Sequence, residues 1–387
     1  MKIKTPLIIL FLLFHAIFIN ISYINIYTRI TYVLLAICGI YLVLNVRKID
    51  KRYNKLNAYL FIFLFAQIVS SYMTHSIDGM IIAIKMFEAF FIVELLASKK
   101  LEKESFNIIF YLLFFYIIIN DISLISSGAH LKYGYNEYYM LGNKFTIGLL
   151  HIELYLLYMQ KIKNLPKKIF KTFFEFLLFA LSIFISIKVK CTTTLICNFI
   201  VLLMLILPKK IKEVLYNPKV FIIILFVCSF ILILYSQILQ TQFLQYIIVD
   251  VFKKNISLTG RMNIYQYIMP VLKEKIIIGY GYGNSYSILM PLFNAPNTQN
   301  GLLEYVFNYG IVVTIYMIFF LYKIIKNINL SKDKIKYFSV LIFVYLLIFI
   351  SSVEISINLN LFLFLSILTF SMVDKETIKK TEEKNYE

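Results

Sequence analysis

The chain has 387 residues, 60% of them hydrophobic, and a mean hydropathy of +0.79. Apolar runs of about twenty residues recur from end to end, which excludes a soluble globular core and predicts a polytopic α-helical membrane protein. The net charge of +18 is carried in short basic blocks between those runs, the pattern of cytoplasmic loops, so nucleic acid is not the expected partner.

Lys2 and Lys4 precede the first apolar run, and no small-residue cleavage site follows it, so an uncleaved first helix starting in the cytoplasm is expected. Spans are predicted at 7–25, 30–46, 57–74, 77–97, 105–127, 141–160, 169–187, 191–207, 219–236, 301–322, 337–353 and 356–373. The expected fold class is therefore all-α, with about twelve transmembrane helices and one long extracytoplasmic loop containing short helices. Its divisions are helices one to nine over 1–236, the long loop over 237–300, helices ten to twelve over 301–373, and a disordered cytoplasmic tail over 374–387.

Basic residues fill every second loop: Arg47 to Lys55, Lys99 to Lys103, Lys161 to Lys171, Lys209 to Lys219, Lys323 to Lys336, and the tail. Outside the long loop, the opposite side holds Arg29, Lys132, Lys188 and Lys190. This asymmetry puts both termini in the cytoplasm and the long loop outside, in a multi-pass membrane protein. Cys38, Cys191, Cys197 and Cys228 show no metal-ligand or disulfide spacing and read as small packing residues, so no metal and no cofactor are expected. In the fourth span, Lys85 and Glu88 stand at i,i+3 and are expected to pair.

The long loop is where chemistry is expected. Helical spacing is predicted over 237–252 and again over 262–278, the second stretch interrupted at Pro270. Arg261 is the loop's one arginine. Gly279, Gly281 and Gly283 have the wrong third gap for a dinucleotide fingerprint and lack a βαβ unit, so they read as a tight turn at a cavity mouth.

The order Thr259-Gly260-Arg261, a helix, Gly279-Tyr280-Gly281-Tyr282-Gly283, Asn297-Thr298-Gln299-Asn300-Gly301-Leu302-Leu303-Glu304 and Tyr309-Gly310-Ile311 resembles the O-antigen polymerase and ligase superfamily. Leu141-Gly142-Asn143-Lys144-Phe145 and Lys190-Cys191-Thr192-Thr193-Thr194 resemble further features of that family, and together the motifs cover 140–322. The resemblance implies metal-independent glycosyl transfer on the outer face, moving a glycan from a polyprenyl-diphosphate donor to an acceptor sugar hydroxyl. A Wzy-type polymerase takes a second lipid-linked repeat unit as acceptor, for capsule, exopolysaccharide or O-antigen. A flippase and a chain-length regulator are the companion proteins this implies, with membrane lipid as the surroundings.

On chemical grounds a diphosphate leaving group needs positive charge, and an arginine fork matches two phosphate oxygens. The diphosphate-binding candidates are Arg261, Lys190 and Arg29, with snorkelling to lipid headgroups as the alternative for each. Gln299 and Asn300 are candidates for orienting the sugar. The family's ligase branch has histidine where this chain has Gln299, which cannot take a proton, so the general base is open. Glu304, one helical turn after Asn300, ranks first for it and Glu354 second, with Glu137, Asp250 and Asp121 as further outer-side carboxylates. The rival reading is a transporter or flippase of lipid-linked oligosaccharide, for which repeated halves are expected and none is evident.

Overall fold

Lipid offers no partner to a free N–H or C=O, so long apolar segments close their hydrogen bonds within themselves. The computed structural model describes residues 4–18, 25–49, 54–128, 131–133, 136–162, 168–230, 246, 249–250, 261–330, 337–352 and 354. Its first ten helices are α1 (Thr5–Phe18), α2 (Asn25–Asn45), α3 (Asn54–Met73), α4 (Ile77–Ser98), α5 (Glu102–Ser127), α6 (Lys144–Ile162), α7 (Lys168–Lys188), α8 (Thr192–Ile206), α9 (Lys209–Leu215) and α10 (Pro218–Phe230). They are followed by α11 (Arg261–Glu274), α12 (Ser285–Phe293), α13 (Gly301–Leu330) and α14 (Phe338–Ser351).

Three stretches among the described residues are long and apolar enough to cross a membrane: Arg29–Lys48, Lys103–Ser127 and Gly301–Leu330. A fourth arises if α8 and α9, bent by 115° at Pro208, count as one span. Thr5–Ile17, Leu60–Met73, Pro218–Cys228 and Phe338–Ser351 are apolar but shorter. The protein is thus an integral membrane protein, while the predicted count of twelve is not reached among the described residues. The twelfth span, the tail and most of 237–260 lie outside them.

Sequential helices pack as neighbours, α1 with α2, α3 with α4, α6 with α7 and α7 with α8, as short connections between antiparallel helices demand. In α14, apolar on all sides, every residue except Phe349 is buried. At one end of the bundle, α9 meets the start of α14: Lys212 lies 4.8 Å over the Phe338 ring, and Tyr216 packs on the same ring. At the other end gather the α3–α4 turn, the α7–α8 turn, the start of α13 and the end of α14.

Two local differences from the sequence reading have physical causes. The connection 131–143 is a small antiparallel sheet, β1 (Leu131–Tyr133), β2 (Asn136–Tyr139) and β3 (Gly142–Asn143), ordered β1-β2-β3. Leu131 pairs with Tyr138 and Tyr139 with Gly142, a tyrosine-rich ribbon of good β formers. Lys85 and Glu88 form no ion pair among the described residues. Glu88 instead turns to α2, where its Oε1 stands 3.2 Å from the place a Cβ on Gly39 would take.

Candidate functional site

Residues 261–300 fold as a lobe with a core of its own. Ile264, Tyr265, Ile268 and Leu272 on α11 bury against Leu289 of α12, Ala295 and Phe307 of α13. Their i, i+4, i+8 spacing gives α11 one apolar stripe. The helix runs through Pro270 instead of breaking there, because a single missing N–H near its end is all the proline removes.

The lobe is locked to the bundle by a break in α13. Gly310 has φ 80° and ψ 174°, a region only glycine occupies, and it splits the helix into two pieces. The carbonyls and N–H groups freed there must find partners. The glycine loop supplies them: Tyr280 N donates to Phe307 O (2.6 Å), Gly281 N to Asn308 O (3.0 Å), and Ile311 N to Ile276 O (2.8 Å). Backbone packs on backbone so closely that a Cβ on Gly279 would stand 2.6 Å from Gly310 N. Tyr280 stacks on Phe307 at 4.7 Å, and its hydroxyl donates to Val271 O at 2.7 Å with Glu274 at 3.1 Å.

On its other side the loop rests on the α3–α4 turn. Ser70 Oγ donates to Ile278 O, and Ser76 Oγ donates to Tyr282 O at 2.7 Å while accepting from Gly79 N as the cap of α4. Tyr282, 39% exposed, stacks on Tyr309 at 6.0 Å. Partial burial, then the charges of Glu304 and Asp78, raise the Tyr282 phenol above its ordinary value, so it stays a donor. Beneath the loop, Ser71 and Tyr305 bury hydroxyl oxygens that close no hydrogen bond with any described residue. Gln67 faces the Tyr309 phenol. Such unfilled capacity just below a surface loop calls for a polar occupant.

Glu304 is the hub of the lobe. It is 6% exposed, with Oε1 contacted by Ser285 Oγ (2.5 Å) and Asn308 Nδ2 (3.2 Å) and Oε2 by Thr298 N (2.9 Å). Asn300, buried, caps α13 through Oδ1, which accepts from Leu302 N (3.0 Å) and Leu303 N (2.9 Å). Replacing it by alanine is expected to cost about 1 kcal/mol, read as a lowered thermal unfolding midpoint in detergent. Gln299, in the left-handed region at φ 54°, donates from both N and Nε2 to Asn297 Oδ1, and its carbonyl accepts from Tyr265.

The remaining predicted residues fall at the same end. Glu354 lies over the start of α13, its carbonyl 3.2 Å from where a Cβ on Gly301 would be. Lys190 occupies the left-handed position (φ 53°) that ends α7 and is exposed. Arg29 is exposed in the first turn of α2, and Arg261 opens α11; the Arg261 side chain lies outside the described residues. The structure brings together Gly279, Gly281, Gly283, Asn300 and Glu304. Sequence reasoning missed Asp78, Ser76, Ser285 and Asn308. Asn308 was detectable one turn after Glu304, and Ser76-Ile77-Asp78 as an N-cap with an acidic first turn.

No curated protein matches the chain at a significant level. The O-antigen ligase family, Wzy_C, matches residues 176–318. That stretch runs from within α7 past the break in α13, and so takes in Lys190, Arg261, the glycine loop, Gln299, Asn300, Glu304 and Gly310, leaving out Arg29 and Glu354. Residues 176–318 thus match the O-antigen ligase family, which supports the resemblance of the sequence motifs to the O-antigen polymerase and ligase superfamily.

Proposed function

We propose that the protein is a membrane glycosyltransferase that polymerises polyprenyl-diphosphate-linked oligosaccharide repeat units on the outer face of a bacterial cytoplasmic membrane. The observation that carries this reading is the coincidence of the family match with the lobe: the matched residues include 261–300 and their glycine-loop lock. Arg261 is the first residue of α11, where the leading N–H groups of a helix have no intrahelical acceptor, a setting that favours a diphosphate. Lys190 and Arg29 are the further cations for it. No metal or cofactor is needed, since diphosphate leaves readily once its charge is balanced.

The acceptor is a second lipid-linked unit. Gln299 in place of the ligase histidine favours polymerisation over ligation to a lipid core. Gln299 and Asn300 are the residues for orienting the sugar. Glu304 has both oxygens engaged and serves by fixing Ser285, Thr298 and Asn308, while Glu354 remains a candidate base. A flippase delivers the donor and a chain-length regulator limits the product. Both termini face the cytoplasm.

A strain lacking the protein is expected to lose surface polymer and accumulate single lipid-linked repeat units at the outer face. Polymer of normal length, or units held at the inner face as a missing flippase gives, overturns the reading.

A further inference from the structure

Glycosyl transfer to a hydroxyl needs a carboxylate, or another base, that reaches the attacking oxygen with an open lone pair. Most carboxylates near the lobe are already engaged with neighbouring donors. Glu304 accepts from three groups, Glu137 from the Tyr139 hydroxyl at 2.9 Å, and Asp121 is held by Asn120 and by His151 at 2.9 Å. Glu274 meets Tyr280, and Glu354 sits over Gly301.

Asp78 differs from all of these. It is exposed, in the first turn of α4, and makes no hydrogen bond or ion pair with any described residue. The glycine loop passes directly over it, with Asp78 Oδ2 3.5 Å from the place a Cβ on Gly283 would take. A side chain there would cover the carboxylate, and glycine leaves it open. The loop is held in that position by Ser76, two residues before Asp78, whose Oγ donates to Tyr282 O. On its other flank, Ser71 Oγ would stand 2.5 Å from a Cβ on Gly79, so the unpaired polar atoms below the loop begin one residue away from Asp78.

We propose that Asp78 is the general base of the reaction, a role that rests on the glycosyl-transfer reading above. The acceptor oxygen forms its bond to the anomeric carbon, the bond from that carbon to the diphosphate oxygen breaks, and the diphosphate leaves with the electron pair. The hydroxyl proton passes to the Asp78 carboxylate and from there to water.

The test uses the full chain in lipid vesicles with purified carrier-linked repeat units, comparing wild type, Asp78→Asn, Asp78→Glu and Arg261→Ala. Asp78→Asn is expected to lower kcat by about 10²–10⁴-fold with little change in KM, and Asp78→Glu to recover part of the loss. If Asp78→Asn does not accumulate in the membrane, Asp78→Ser is read in its place against the same expectations. A kcat within about tenfold of wild type, or a change in KM alone, overturns the role of Asp78 while Arg261→Ala still abolishes transfer. A wild type that transfers nothing overturns the glycosyl-transfer reading instead.

Discussion

Gly310→Ala is expected to release the lobe from the bundle. A Cβ at this position would stand 2.0 Å from Ile277 O and 2.4 Å from Ile277 C, and φ 80° with ψ 174° is closed to alanine. The relief available to the chain is to straighten α13, returning the Phe307 carbonyl to Ile311 N and expelling Tyr280 N, Gly281 N and Ile276 O from their partners. Strain of about 1–3 kcal/mol and overpacking of a similar size set the expected loss of stability at about 2–6 kcal/mol. The outcome is protein still inserted in the membrane, with new protease cleavage within 275–284 and no polymer made. Unchanged protection of that loop would show that the lock does not depend on the glycine.

Arg261→Ala is expected to leave the protein folded and chain extension lost. The residue opens α11, whose buried stripe begins at Ile264, so the lobe core keeps its contacts without it. Loss of one preorganised charge at a departing diphosphate lowers kcat by about 10²–10³-fold. Arg261→Lys retains a point charge without the planar fork and is expected to fall between the two. Quantifying lipid-linked single units and polymer in the same strain separates this from an unfolding effect, as does the amount of protein in the membrane.

Composition made the helical membrane class legible in the sequence. The glycine cluster was read as a tight turn, which it is, since Gly279, Gly281 and Gly283 all have positive φ. Its partner was not readable. That Gly310 breaks a helix, and that the freed carbonyls of Phe307 and Asn308 are filled from a loop thirty residues upstream, depends on tertiary contact and leaves no periodic trace. Glu304 illustrates the same limit from the other direction. Its spacing from Asn300 correctly put both at one helix start, while the donors that surround it come from α12 and from 298, which spacing along one helix does not reveal. Asp78 escaped notice because it lies at the head of an apolar run, where an acidic residue reads as a helix-start preference and nothing more.

The most direct measurement is transfer by the purified protein itself. In sealed vesicles of phospholipid, with the lobe outward and carrier-linked repeat units in the bilayer, the account predicts a ladder of lengthened lipid-linked glycans without added metal or nucleotide, absent with Arg261→Ala. Vesicles that only move the units across the bilayer, or that lengthen them equally well with Arg261→Ala, would contradict it.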